Sequence, residues 1–222
     1  MPLRTSLVRP LPPPSPPPPS GCRTCTSGAP TGAITAGMGD AAKADIAGSP
    51  TLQRELAELQ ARGWKIEVDP GALDSTQTGA VILEDKTIVL RDGNDTLSIA
   101  HEVQHAIYEN ATPPPSLESA EAGTWSRQDF IDRYKRYGTA DERLAFGAEA
   151  TVRSEVLASG GRDIGQPAVF GEAYYDDHYT KLARQIHNDK FGIPAGETAN
   201  GFDMNAFLAV PAPPPPATAT PH

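Results

Sequence analysis

Two proline runs limit how much of this chain can build a core. Residues 10–19 read PLPPPSPPPP and residues 211–217 read PAPPPPA. Such runs favour polyproline II, which buries little and leaves its backbone to water. Residues 26–49 are mostly Gly, Ala, Ser and Thr. With so few large apolar side chains, that stretch cannot offset its own ordering entropy. The pattern predicts disordered tails over 1–49 and 211–222, flanking one domain over 50–210. About 160 residues suffice for one domain with a single hydrophobic core.

The chain carries 28 acidic residues against 19 Lys and Arg, a net charge of -9. That balance excludes nucleic acid and anionic membranes as the main partners. No apolar run is long enough for a transmembrane helix or a conventional secretory signal. The expected location is therefore cytoplasmic, or outside the cell by a non-classical route. Cys22 and Cys25, spaced CxxC, fall in the N-terminal tail. Two thiols supply only half of a structural zinc site, and no strand-to-helix setting suggests a redox role. The expected core has no disulfide and tolerates a reducing compartment.

Order is expected from Ser49-Pro50. Ser49 can cap a helix that Pro50 opens and Gly63 ends, with Leu52, Leu56 and Leu59 on one face. Residues 64–68, WKIEV, alternate as a strand does, with Trp64, Ile66 and Val68 on one face. Residues 79–91, GAVILEDKTIVLR, read as a hairpin. Asn94 or Asp95 can cap the next helix, TLSIAHEVQHAIYEN, which Pro113-Pro114-Pro115 closes. Further on, 126–138 reads as a helix ending at Gly138. Thr139 and Glu142 then suggest a capping box that opens a second helix, stopped by Gly160-Gly161. A last helix spans about 171–190.

The chemistry centres on His101-Glu102-Val103-Gln104-His105, an HExxH motif. Residues four apart share a helix face, so the two imidazoles converge. Imidazole nitrogen is a preferred zinc ligand, and one helical turn spans a suitable gap. Glu102 falls beside the metal. It can take a proton from activated water and pass it to a leaving amine. Leu97, Ile99, Ala100, Val103, Ala106 and Ile107 make the helix apolar, so its buried polar side chains need partners. The preceding hairpin offers a strand edge to which a substrate peptide can add.

On these residues the chain resembles the zincin metallopeptidases. TGAVILEDKTIVL followed by TLSIAHEVQHAIY is similar to their edge strand and active-site helix. Residues 144–150, LAFGAEA, resemble the glutamate-bearing helix of gluzincin-like families. Those include the lethal-factor-type and ImmA/IrrE-type peptidases and metallopeptidases of bacterial effector-like proteins. Gly147 departs from the "F-A-E-A" pattern in its second place. The resemblance covers roughly residues 64–160. It implies an α+β zincin-like fold: a small antiparallel or mixed sheet, the HExxH helix packed on it, and a C-terminal helical subdomain carrying the third ligand.

A catalytic zinc usually takes three protein ligands and keeps one position open. Glu149 sits among Ala145, Phe146, Ala148, Ala150 and Val152, where a carboxylate needs a cationic partner. It is the leading third ligand. Glu142 has its capping role as an alternative, and Glu155 lies on the same helix. His178 would give a three-histidine site. The HExxHxxGxxH spacing is absent, since Asn110 and Ala111 occupy that region. An oxyanion donor is also needed, commonly Tyr or His. Tyr174, Tyr175, His178, Tyr179 and His187 all lie on the last helix, and Tyr174 leads, with core packing as the competing role. Tyr137 is a further candidate, while Tyr108 reads as a wall of the active-site helix.

The expected function is a zinc metalloendopeptidase acting on protein or peptide, with Glu102 as general base. A bacterial effector or toxin protease fits the compact domain and its tail; a cytoplasmic housekeeping protease is the rival. The alternative is a non-catalytic, metal-stabilised interaction protein that binds partners through its proline-rich tails.

Overall fold

The computed structural model describes residues 32–73, 77–167 and 170–194. Order begins earlier than the composition predicts. Residues 32–38 form turns, and helix α1 spans Asp40–Gly48. Ile34, Met38, Ala42 and Ile46 recur at four-residue intervals and are all buried. Small residues between them permit close approach: a Cβ on Gly48 would run into the Ser159 hydroxyl. This part of the expected tail is therefore core. The two proline runs, Cys22 and Cys25 lie outside the described residues.

Helix α2, Pro50–Ala61, starts as expected: Ser49 Oγ accepts from the Leu52 amide at 3.2 Å, and Leu52, Leu56 and Leu59 are buried. Glu155 joins that cap from a distant helix. Its carboxylate accepts from Ser49 Oγ at 2.5 Å, from the Thr51 amide at 3.0 Å and from Thr51 Oγ1 at 2.7 Å.

Strands β1 (Lys65–Val68), β2 (Gly79–Ile82) and β3 (Thr87–Leu90) form a mixed sheet in the order β1-β3-β2. β3 pairs parallel with β1 and antiparallel with β2, so the expected hairpin is present and β2 is an edge strand. Central β3 is buried throughout, as a strand flanked and covered must be. Trp64 and Ile66 face the core, but Val68 is exposed.

Helix α3, Thr96–Ala111, carries the HExxH motif. Asp95 caps it, its carboxylate accepting from the Ser98 amide at 3.1 Å. Ile99, Ala100, Val103 and Ala106 are fully buried in the core that includes Ile88 and Leu90. A short helix α4, Leu117–Glu121, follows.

The expected helix break at Gly138 is absent. Helix α5 runs unbroken over Arg127–Ala158, so the Thr139/Glu142 capping box does not form. A single glycine inside a helix costs only about 1 kcal/mol. Here it also makes room: a Cβ at Gly138 would collide with the ring of Tyr179 on helix α6, Glu172–Phe191.

The fold is thus α+β. One apolar cluster joins the sheet, α1, α2, α3 and the end of α5 through Val152 and Val156. A smaller cluster joins Phe130 and Ile131 of α5 to Ala183 of α6. The middle of α5, between these two clusters, faces the HExxH helix. No helix among the described residues is long and apolar enough to cross a membrane.

Candidate metal centre

His101 and His105, one turn apart on α3, bring their ring centroids to 4.6 Å. Opposite them the middle of α5 presents three carboxylates. Glu142 faces the Nε2 atoms: Oε2 lies 3.5 Å from His101 Nε2, and Oε1 lies 3.9 Å from His105 Nε2. The Nδ1 atoms face the other two. Glu149 Oε1 lies 2.6 Å from His101 Nδ1, and Asp141 Oδ1 lies 2.8 Å from His105 Nδ1. Glu149 is hydrogen-bonded to one nitrogen of His101 and Asp141 lies close to the matching nitrogen of His105, while the other nitrogen of each ring points to a shared carboxylate. This is how proteins commonly prepare histidines for a metal.

The structure thus groups Glu142, rather than Glu149, with the two histidines. One potential ligand atom from each of His101, His105 and Glu142 lies within 4.8 Å of the others. Ligands about 2.0 Å from a tetrahedral zinc stand about 3.3 Å apart. The 3.5 Å His101–Glu142 separation is close to that, and 3.9 Å asks for a small adjustment. Glu149 lies outside that group, hydrogen-bonded to His101 Nδ1. Glu155 is engaged at the α2 cap, away from the histidines. Asp141 is a site residue that local sequence pattern does not single out. It precedes Glu142 on one helix, and with Glu149 it faces the HExxH histidines.

Charge fits the same picture. Glu102, Asp141 and Glu149 are buried around the two imidazoles, and Glu142 is half-buried. Burial works against a charge on His101, but hydrogen bonds to Glu142 and Glu149 overcome it and raise the imidazole to about 10. Burial also opposes a charge on His105, and Asp141 again reverses it, so the group is raised. For Glu142, burial is outweighed by the His101 hydrogen bond and by the positive charges of both imidazoles, which hold the carboxyl down at about 2. Burial raises Glu102, with His105 and His101 pulling the other way. Burial likewise raises Glu149, against its hydrogen bond to His101. The surroundings strongly favour positive charge between the imidazoles and Glu142. Four carboxylates around two imidazoles are a donor set that a divalent cation suits.

Glu102 is pressed against the sheet. A Cβ on Gly79 would stand 2.5 Å from Glu102 Cγ, so glycine at the start of β2 makes room for that carboxylate. The cleft here has a volume of about 560 Å³ and is bordered by Thr78, by Gly79 and Ala80 of the edge strand, and by Phe146, Phe170 and Tyr174.

The last helix splits its candidates. Tyr179 donates to Glu142 Oε1 at 3.0 Å, so it positions that carboxylate. Tyr174 lines the cleft, stacked on Phe170 with centroids 4.3 Å apart, and burial pushes its hydroxyl up to about 12. Tyr175 and His178 also line the cleft. His178 packs edge-on against Tyr179, and burial lowers its imidazole to about 4. His187 packs against Phe130 and Phe191, outside the cleft. Tyr137 packs on Tyr108, also outside it. Comparison of the chain with protein-family models, curated proteins and solved structures finds no match.

Proposed function

We propose that this protein is a zinc-dependent peptidase, with His101, His105 and Glu142 as metal ligands. The observation that carries the reading is the division of labour around the imidazoles. Both Nε2 atoms face Glu142, both Nδ1 atoms lie within 2.8 Å of other carboxylates, and Glu102 stands beside them in an open cleft. A purely structural cluster of buried charge would not need that cleft. Zinc bound there supplies Lewis acidity, which polarises a scissile carbonyl and makes water more acidic.

The chain's own residues do the rest. Glu102 takes a proton from the attacking water and delivers it to the leaving amine. Burial raises its carboxyl, which suits a group that must both accept and return a proton. Glu149 and Asp141 fix the imidazole orientations, and Tyr179 holds Glu142. Tyr174, on the cleft wall, is the candidate oxyanion donor. An extended peptide lies along the β2 edge, adding a strand next to Glu102.

Replacing Glu102 with Gln tests the reading. The variant retains zinc and loses turnover on a mixed peptide library by about 10²- to 10⁴-fold. Equal cleavage by variant and parent would remove Glu102 from the mechanism. Absence of any chelator-sensitive cleavage by the parent would favour a metal-stabilised binding protein instead.

A further inference from the structure

Beyond His105, the C-terminal end of α3 and the first turns of α5 enclose a second, open groove of about 430 Å³. Tyr108, Trp125 and Tyr137 supply aromatic surface, Pro113 forms part of the wall, and Arg133 and Arg136 are exposed at the edge. Tyr108 and Tyr137 pack with centroids 5.3 Å apart, and the Arg133 guanidinium lies 4.6 Å over the Trp125 ring. None of these groups enters the proposed chemistry. Aromatic faces beside hydrogen-bond donors suit a polyproline II segment. Its rings pack on the aromatics, and its carbonyls, free of internal hydrogen bonds, accept from the donors.

We propose that this groove receives the chain's own C-terminal segment, PAPPPPA at 211–217. The place where the described chain ends favours it. The end of α6 is tied beside α4 and the start of α5. Arg127 Nη2 donates to Asn188 Oδ1 at 3.1 Å, and Lys190 Nζ lies 3.6 Å from Glu121. Trp125 immediately precedes that end of α5, before the Ser126 cap. Residues 195–210 connect it to the proline run, sixteen residues in all. Sixteen residues reach at most about 50 Å when fully extended.

The other run, 10–19, is placed less well. It enters the described chain at Gly32, on a segment tied to the opposite end of α3 by the Gly39 amide donating to the Gly93 carbonyl at 3.0 Å. To reach the groove it must first cover the length of α3, about 24 Å at 1.5 Å per residue. Tethering also gives the C-terminal segment a millimolar effective concentration, enough to populate a weak contact.

The two tryptophans provide the test in the full-length chain. Trp125 is half-buried at the groove, while Trp64 is buried in the main core. Their indole N–H resonances are assigned with Trp125→Phe. Replacing Pro213, Pro214, Pro215 and Pro216 by Ser shifts the Trp125 resonance and leaves Trp64 in place. Adding a synthetic PAPPPPA peptide at millimolar concentration to that variant moves Trp125 back. Serine at Pro16, Pro17, Pro18 and Pro19 moves neither. The proposal is overturned if Trp125 is unchanged by the C-terminal replacement, if it follows the N-terminal one instead, or if both tryptophans move together. A Trp125 shift that grows with protein concentration would assign the segment to a neighbouring copy and overturn it too.

Discussion

Glu155 and Glu142 lie on the same helix and meet opposite surroundings. At the end of α5, the Glu155 carboxylate accepts from two hydroxyls and one amide, all neutral donors that it caps and satisfies. In the middle of α5, Asp141, Glu142 and Glu149 converge with Glu102 on just two imidazoles. The first arrangement is balanced and staples two helices. The second has more acceptors than donors, and buried surplus charge of that kind is costly unless a cation answers it. The difference separates a carboxylate that holds the fold from carboxylates grouped where a cation could be held.

The comparison is broken most sharply within the site itself. Glu142→Ala removes a proposed ligand, and zinc affinity falls by more than about 100-fold. Glu149→Ala removes only an imidazole support, and the loss is about 10- to 100-fold. Competition with a chromogenic chelator measures both. A larger loss at Glu149 would exchange their roles and restore the assignment suggested by the apolar sequence around Glu149.

A smaller effect is expected at Gly138. Alanine there would ordinarily strengthen a helix by about 1 kcal/mol. The added Cβ meets the Tyr179 ring, and Tyr179 in turn holds Glu142. Overpacking reverses the sign, giving a net destabilisation of about 1–3 kcal/mol by denaturant titration, together with weaker zinc binding. A more stable Gly138→Ala variant would mean that α5 and α6 do not approach so closely.

The smallest effect belongs to the staple. Glu155→Gln costs about 1 kcal/mol of stability and leaves zinc affinity unchanged. Burial opposes ionisation of Glu155, but the hydrogen bonds from Ser49 and Thr51 together outweigh it and hold its carboxyl below the ordinary value. Its contribution is therefore complete above the unfolded value, about 4.3, and is lost as pH falls through the folded value. Between pH 5 and 3 the parent loses more stability than Glu155→Gln. Parallel losses would show that the staple carries no linked proton.

Much of this arrangement was legible from local pattern. The Ser49 cap, the 79–91 hairpin and the Asp95 cap rest on neighbouring residues, and the structure has all three. The facing of His101 and His105 follows from helical spacing alone. What escaped depends on other elements. Gly138 resembled a stop because nothing in the sequence shows that Tyr179 needs the space. Glu142 resembled a cap because of that supposed stop, which hid its place opposite the histidines. The turns at 32–38 and helix α1 do carry a local pattern. Ile34, Met38, Ala42 and Ile46 keep a four-residue spacing, but the surrounding glycines and alanines lowered the apparent apolar content.

Zinc titration of chelator-stripped full-length protein, followed by calorimetry, reaches the central claim most directly. The account predicts one equivalent bound by the parent and loss of that equivalent in His105→Ala. Failure of the parent to bind zinc, or undiminished stoichiometric binding without His105, would contradict it.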